Sequence, residues 1–411
     1  MPRRVLMVVV ALVASLSGTA AALRAAQVPA QNVIVHEWGT FTTIAGEDGQ
    51  AMNWVPLGGP TDLPCFVEHY KNRLFKVILA PDAEAPVPME YETARSSLVG
   101  KVRMETPVLY FYSSKEAAVS VRVRFPQGLL TEWYPTATAT QPNVLPKVLD
   151  DPSVVGGLDW PYVAITPDRT PSLPMGTGPS HYYAARQTDA SPISVNGRDE
   201  KFLFYRGVAG FPVPIAAALE AGGSVRVTNL GREPIPSVIL FDNHAGAIRY
   251  RSIGALQASA IIGRPAGASD PATLRADLVK TLVRAGLYDK EAQAMVDTWR
   301  DSWFEEGTRV FYVLPRAAVD AILPLTITPA PTQIARAFVG RMELVTPETL
   351  VEVQAAIARN DTALLESRGR FLGPIADQLI AKTSSVTDRT RIRGITNSVF
   401  ANYQARFATC R

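Results

Sequence analysis

Cysteine is almost missing from this chain: Cys65 and Cys410 are the two among 411 residues. That is too few for a fold stapled by disulfides. Histidine is nearly as scarce, with His36, His69, His181 and His244. Signatures that depend on spacing are missing too. His36-Glu37-Trp38-Gly39-Thr40 opens like a zinc-protease motif but lacks the second histidine. There is no phosphate-binding loop, no nucleophile elbow and no C-x-x-C. Gly176-Thr177-Gly178 is followed by Pro179 where a dinucleotide-binding helix would begin, and Asp242-Asn243 is too short for a calcium loop. No apolar run approaches the roughly 20 residues that cross a bilayer. Neither sign of charge dominates: 41 basic and 38 acidic residues leave +3. Such a balance argues against nucleic acid or an anionic membrane as the main partner.

What the chain does have begins at its first residues. Arg3 and Arg4 precede the uncharged stretch Val5 to Leu16, and Ala20-Ala21-Ala22 closes it. A basic start, a short apolar core and a small-residue exit read as a secretory signal over 1–22. The expectation is an exported protein, periplasmic or extracellular, cleaved near Ala22 and without a transmembrane anchor. Both general secretion and twin-arginine export fit Arg3-Arg4. Removing 22 residues leaves 389, enough for two or three domains, and a net charge of +1. Export permits a Cys65–Cys410 disulfide; two buried thiols are the alternative.

Residues 32–134 form a first β-rich block. Val33 to Ile44 is dense in β-branched and aromatic residues, and Ala118 to Phe125 alternates with period two. Residues 201–345 form a second, with strands expected near 201–205, 224–229, 237–241 and 247–251. Asp242 to Gly246 is the hairpin tip. A Ser-Val-Arg-Val run occurs in each block, at 120–123 and 224–227. It fits two related sandwich units or two unrelated sheets. The Pro- and Gly-rich stretch 135–200 reads as a long ordered loop, anchored by Trp160, Tyr162, His181, Tyr182 and Tyr183. A helical hairpin at 271–306 interrupts the second block. Asp270-Pro271 supplies its cap, and Leu274, Leu278 and Leu282 its buried stripe. Residues 346–411 are helical, with a break expected at Gly373-Pro374. The fold class is β-rich α+β: two antiparallel β-sandwich-like blocks, an inserted helical hairpin and a C-terminal helical cap.

Candidate chemistry gathers on few residues. His36 and Glu37 are candidate catalytic groups, because a buried strand carboxylate needs either a raised pKa or a cation. His36, His69 and His181 are a candidate metal set, with zinc the natural ion, should the fold bring them together. A hydrogen-bonded structural histidine at each position is the competing reading. His181, Tyr182, Tyr183 and Arg186 are candidate ligand contacts, since aromatics and arginine favour recognition; loop anchoring is their alternative. Asp297, Asp301 and Glu305, four residues apart on one helix, read as a solvated face.

His36 to Thr42, Met104 to Phe111 and Asp301 to Tyr312 together resemble an uncharacterised group of exported bacterial proteins with an HEWGTFT-type first strand. The likeness spans most of the mature chain and implies no activity, ligand or catalytic residue. The functional expectation is therefore a binding or structural module for peptide or glycan. The alternative is a metal-assisted hydrolase using His36, Glu37, His69 and His181.

Overall fold

Ile34–Ile44 (β1) is apolar or β-branched at almost every position, as a strand buried on both faces must be. In the computed structural model, which describes residues 32–58, 63–71, 73–79, 85–142, 144–176 and 180–407, β1 lies at the centre of the main sheet. The signal segment 1–22 and Cys410 lie outside the described residues. Cys65 carries no free thiol.

The other main strands are Val102–Tyr112 (β2), Ala117–Pro126 (β3), Gly128–Tyr134 (β4), Val155–Ile165 (β5), Leu203–Ala209 (β6), Ile235–His244 (β7), Ala247–Leu256 (β8), Gly307–Val313 (β9) and Gln333–Leu344 (β10). The sheet runs β5-β4-β6-β2-β1-β10-β9-β7-β8, extended beyond β5 by short strands at 193–195 and 198–200. β1 pairs antiparallel with β2 and parallel with β10. Strands of both expected blocks thus share one sheet, and the second block closes onto the first through β10. The two Ser-Val-Arg-Val runs do not correspond. One lies in β3, the other in a separate three-stranded sheet with 215–219 and 259–262.

The stretch expected as a loop contains β5, eleven residues long. Pro161 hid it, because proline removes a ladder donor. The register shifts between Trp160 and Val163, so Pro161 and Tyr162 bulge outward while Leu158, Trp160, Val163 and Ile165 stay buried.

Alternation along β1 feeds two cores. Val33, Val35 and Phe41 join Met104, Phe338 and Met342 on one face. Trp38 joins Val108, Tyr110, Ala337 and Val339 on the other. That second face is covered by Pro271–Arg284 (α1), Asp289–Trp303 (α2) and the short 3-10 helix His181–Arg186. Asp270 caps α1 through Ala272 N–H at 3.1 Å, with Pro271 in the first turn. Beyond β10 come Pro347–Arg359 (α3), Leu372–Lys382 (α4) and Val386–Phe407 (α5), packed around Ile44 and Trp54. Gly373-Pro374 begins α4 rather than breaking a helix. Proline fits the first turn, where its missing N–H has no intrahelical role.

Candidate functional site

β1 carries His36 and Glu37 into the middle of the sheet, where both are fully buried. Neighbours on a strand face opposite ways, so they build separate sites. On the helix-covered face His36 Nδ1 lies 2.7 Å from Glu291 Oε2. Tyr112 OH donates to Glu291 Oε1 at 2.7 Å. Glu291 also accepts Tyr288 N–H at 2.8 Å, closing the first turn of α2. The Tyr112 and Tyr288 rings flank the imidazole at 5.5 and 4.4 Å. Burial and the adjacent Glu291 hold the Tyr112 hydroxyl far above its ordinary pKa, so it remains a donor.

On the opposite face Glu37 accepts from Tyr205 OH and, at 2.5 Å, from Arg336 Nε. Arg336 Nη1 continues to Asp320 at 2.8 Å. Burial alone would pull the Arg336 pKa down; Glu37, Tyr205 and Asp320 together outweigh it and the net shift is upward. The carboxylate has met its need for a cation. The candidate catalytic residues His36 and Glu37 thus lie on opposite faces of β1, each engaged by its own partners.

The expected zinc set is corrected. His36 contacts Glu291 near the start of α2, while His181 pairs at 3.4 Å with Asp301 near its end. Ten helical positions separate 291 from 301, about 15 Å at about 1.5 Å per residue. His69 pairs along β4, opposite Glu132. That places it four strand steps from β1, roughly 19 Å at the usual spacing of about 4.8 Å. Among the described residues no three His, Cys, Asp or Glu side chains are grouped to hold a metal ion.

The expected ligand contacts of the loop turn largely inward. Arg186 donates to both oxygens of Glu200, at 2.7 to 3.2 Å, and Tyr182 OH donates to the same carboxylate at 3.0 Å. The guanidinium lies over Phe66, Tyr182 and Tyr183. Tyr183 OH accepts Gly176 N–H at 2.7 Å. Tyr182 and Arg186 thus fasten the loop to the sheet, and Tyr183 ties the loop to itself. His181 differs: it is partly exposed, lies beside Trp299 and lines a recess.

That recess lies where β1 and α2 meet the loop. It is a shallow recess of about 280 Å³, counted together with the solvent at its mouth, between Trp38, Thr106, His181, Phe204, Arg206 and Trp299. Thr106 Oγ1 and Trp299 Nε1 are buried there without a hydrogen-bond partner among the described residues.

Below the recess the helix-covered face turns polar across five strands. Phe204 gives way to Arg206 on β6, and Val108 to Thr106, Glu105 and Arg103 on β2. Trp38 gives way to Thr40 and Thr42 on β1, Val339 to Arg341 and Glu343 on β10, and Phe311 to Arg309 on β9; all these polar residues are buried. The register sets Thr40 opposite Thr106 and Thr42 between Arg103 and Arg341. Shifts in register at Thr40/Phe41, Phe204/Gly207 and Arg206/Gly207 fall in the same zone. Bulges of this kind re-aim side chains and recur beside functional sites.

Arginines organise the band. Arg103 Nε donates to Glu105 Oε2 at 2.8 Å, and Arg370 takes the other oxygen. Burial alone would raise the Glu105 pKa, but Arg103, Arg370 and Arg206 together hold it at about 2. Arg309 Nε donates to Glu343 at 2.8 Å, and Arg341 pairs with Glu305. Burial, aided by Arg309 and Arg370, pushes the Arg341 pKa down to about 10 against the pull of Glu305 and Glu343.

Sequence spacing gave no access to this band, because its members come from positions 40, 106, 206, 309 and 341. One signal was present: a charge inside an otherwise apolar strand, as in Val102-Arg103-Met104-Glu105 and Gly340-Arg341-Met342-Glu343. Compared with protein-family models and with curated proteins, the chain matches none.

Proposed function

We propose that this chain is an exported binding module for a glycan or peptide, with the recess between β1, α2 and the loop as its ligand site. In this reading the scaffold is two sandwich-like blocks joined through the shared sheet, with α1 and α2 as an inserted hairpin and the C-terminal helices as a cap. The carrying observation is the pairing of aromatic walls, Trp38, Phe204 and Trp299, with buried donors lacking partners, Thr106 Oγ1 and Trp299 Nε1. Ring faces suit the apolar face of a sugar or a side chain, and the polar atoms fix orientation. The metal-assisted hydrolase draws no support from His36, His69 and His181, which stand apart.

The test is tryptophan fluorescence of the mature chain, titrated with neutral and acidic oligosaccharides and with short peptides. A saturable change is expected for one class. Trp299→Phe should weaken binding by about tenfold or more, as for a central aromatic contact. A panel that leaves the emission unchanged, or a Trp299→Phe chain that binds as well as the native one, defeats the reading. For export, sequencing the secreted chain should find its N-terminus near Leu23; a retained Met1 rules it out.

A further inference from the structure

We propose that the polar band beside the recess is an oxyanion site, in which Thr40, Thr42, Thr106 and Arg341 receive the acidic group of the ligand. The inference rests on the binding reading above and adds a charge to the ligand. Three hydroxyls and one guanidinium carry it. Thr40 Oγ1, Thr42 Oγ1 and Thr106 Oγ1 are buried, and none has a hydrogen-bond partner among the described residues. The same holds for Nε and Nη1 of Arg341, which is fully buried. These groups are not scattered. Thr40 faces Thr106 across the β1–β2 pair, and Thr42 faces Arg341 across the β1–β10 pair, all on the helix-covered side.

Buried polar groups in folded proteins nearly always have partners, so several unpartnered ones on three adjacent strands call for an occupant. Every available atom here is an O–H or N–H able to donate, which selects an acceptor-rich group. The guanidinium selects its sign. Arg341 gives Nη2 to Glu305 and keeps Nε and Nη1, both buried, for a further acceptor. Charge-assisted bonds from arginine to a carboxylate or phosphate are the strong ones. Access is supplied by Thr106, which lines the recess and stands opposite Thr40. Carboxylate and phosphate share this chemistry.

Thermal shift and calorimetry on the mature chain test it, with inorganic phosphate, acetate and glucuronate as probes and chloride at equal ionic strength as control. At least one oxyanion should raise the Tm saturably, as a ligand specific to the fold must. Phosphate against acetate and glucuronate separates the two chemistries. Thr40→Val keeps the side-chain shape and removes the hydroxyl. It should lower affinity about tenfold while leaving the ligand-free Tm unchanged or higher. Arg341→Gln should abolish the response.

No saturable shift over chloride overturns the proposal. So does a Thr40→Val chain that binds normally, or one that loses stability without ligand, since its hydroxyl would then be bonded within the fold. If neutral oligosaccharides or peptides still bind through Trp299, the binding reading stands and only the acidic group is lost.

Discussion

Arg336 shows at the scale of one residue how this interior holds charge. It is about as buried as a leucine, and its guanidinium is divided between Glu37 and Asp320. Arg336→Met would leave Glu37 buried with only Tyr205 for company. Urea unfolding should report a loss of about 3–5 kcal/mol, the usual penalty for orphaning a buried charge. The double variant Glu37→Leu/Arg336→Met should recover much of it. A loss below about 1 kcal/mol for the single variant would contradict the pairing. His244 gives a pH prediction. Hydrogen bonds that its ring N–H groups donate to Asp242 and Glu306 raise its pKa from 6.5 to about 9. A histidine that binds its proton more tightly when folded stabilises fully below 6.5, and that stability drains as pH rises through about 9. Stability should fall across that window in the native chain, and His244→Gln should flatten the profile.

Helix starts show which elements a sequence can announce. Asp270-Pro271 and Thr346-Pro347 each put a side-chain acceptor before a proline, and each caps a helix here. Such signals are legible because donor and acceptor lie within three residues of each other. Asp270→Ala should therefore cost about 1 kcal/mol in thermal unfolding, and an unchanged Tm would deny that the cap matters. The hairpin tip was legible too: Ala245 and Gly246 take φ of 52° and 78°, between β7 and β8. β5 was not, because Pro161 and Gly156-Gly157 contradict strand propensity locally while pairing with β3 overrides it. The Thr–Arg band was still less legible. Thr40 meets Thr106, and Thr42 meets Arg341, only once strands far apart in sequence are laid side by side.

Across the whole molecule the two blocks behave as one unit, because β1 is flanked by β2 from its own block and β10 from the other. A chain lacking 32–44 should show no cooperative unfolding transition by circular dichroism; a sharp transition would mean the blocks fold separately. The 135–200 stretch belongs to the same unit, with Arg186 held in its Glu200 clamp. Trypsin should leave Arg186 uncut until global unfolding, and early cleavage there would show the loop to be loosely held.

The β1–β10 pair also sets a schedule. Glu37 waits for Arg336, 299 residues later in the chain. A ribosome adding about 5–20 residues per second needs tens of seconds to supply it. Throughout that interval the central strand has one neighbour at most and the main sheet cannot close. The β10 side of β1 therefore stays unpaired until synthesis is nearly complete. A chaperone would find its longest work on the exposed edge of β1.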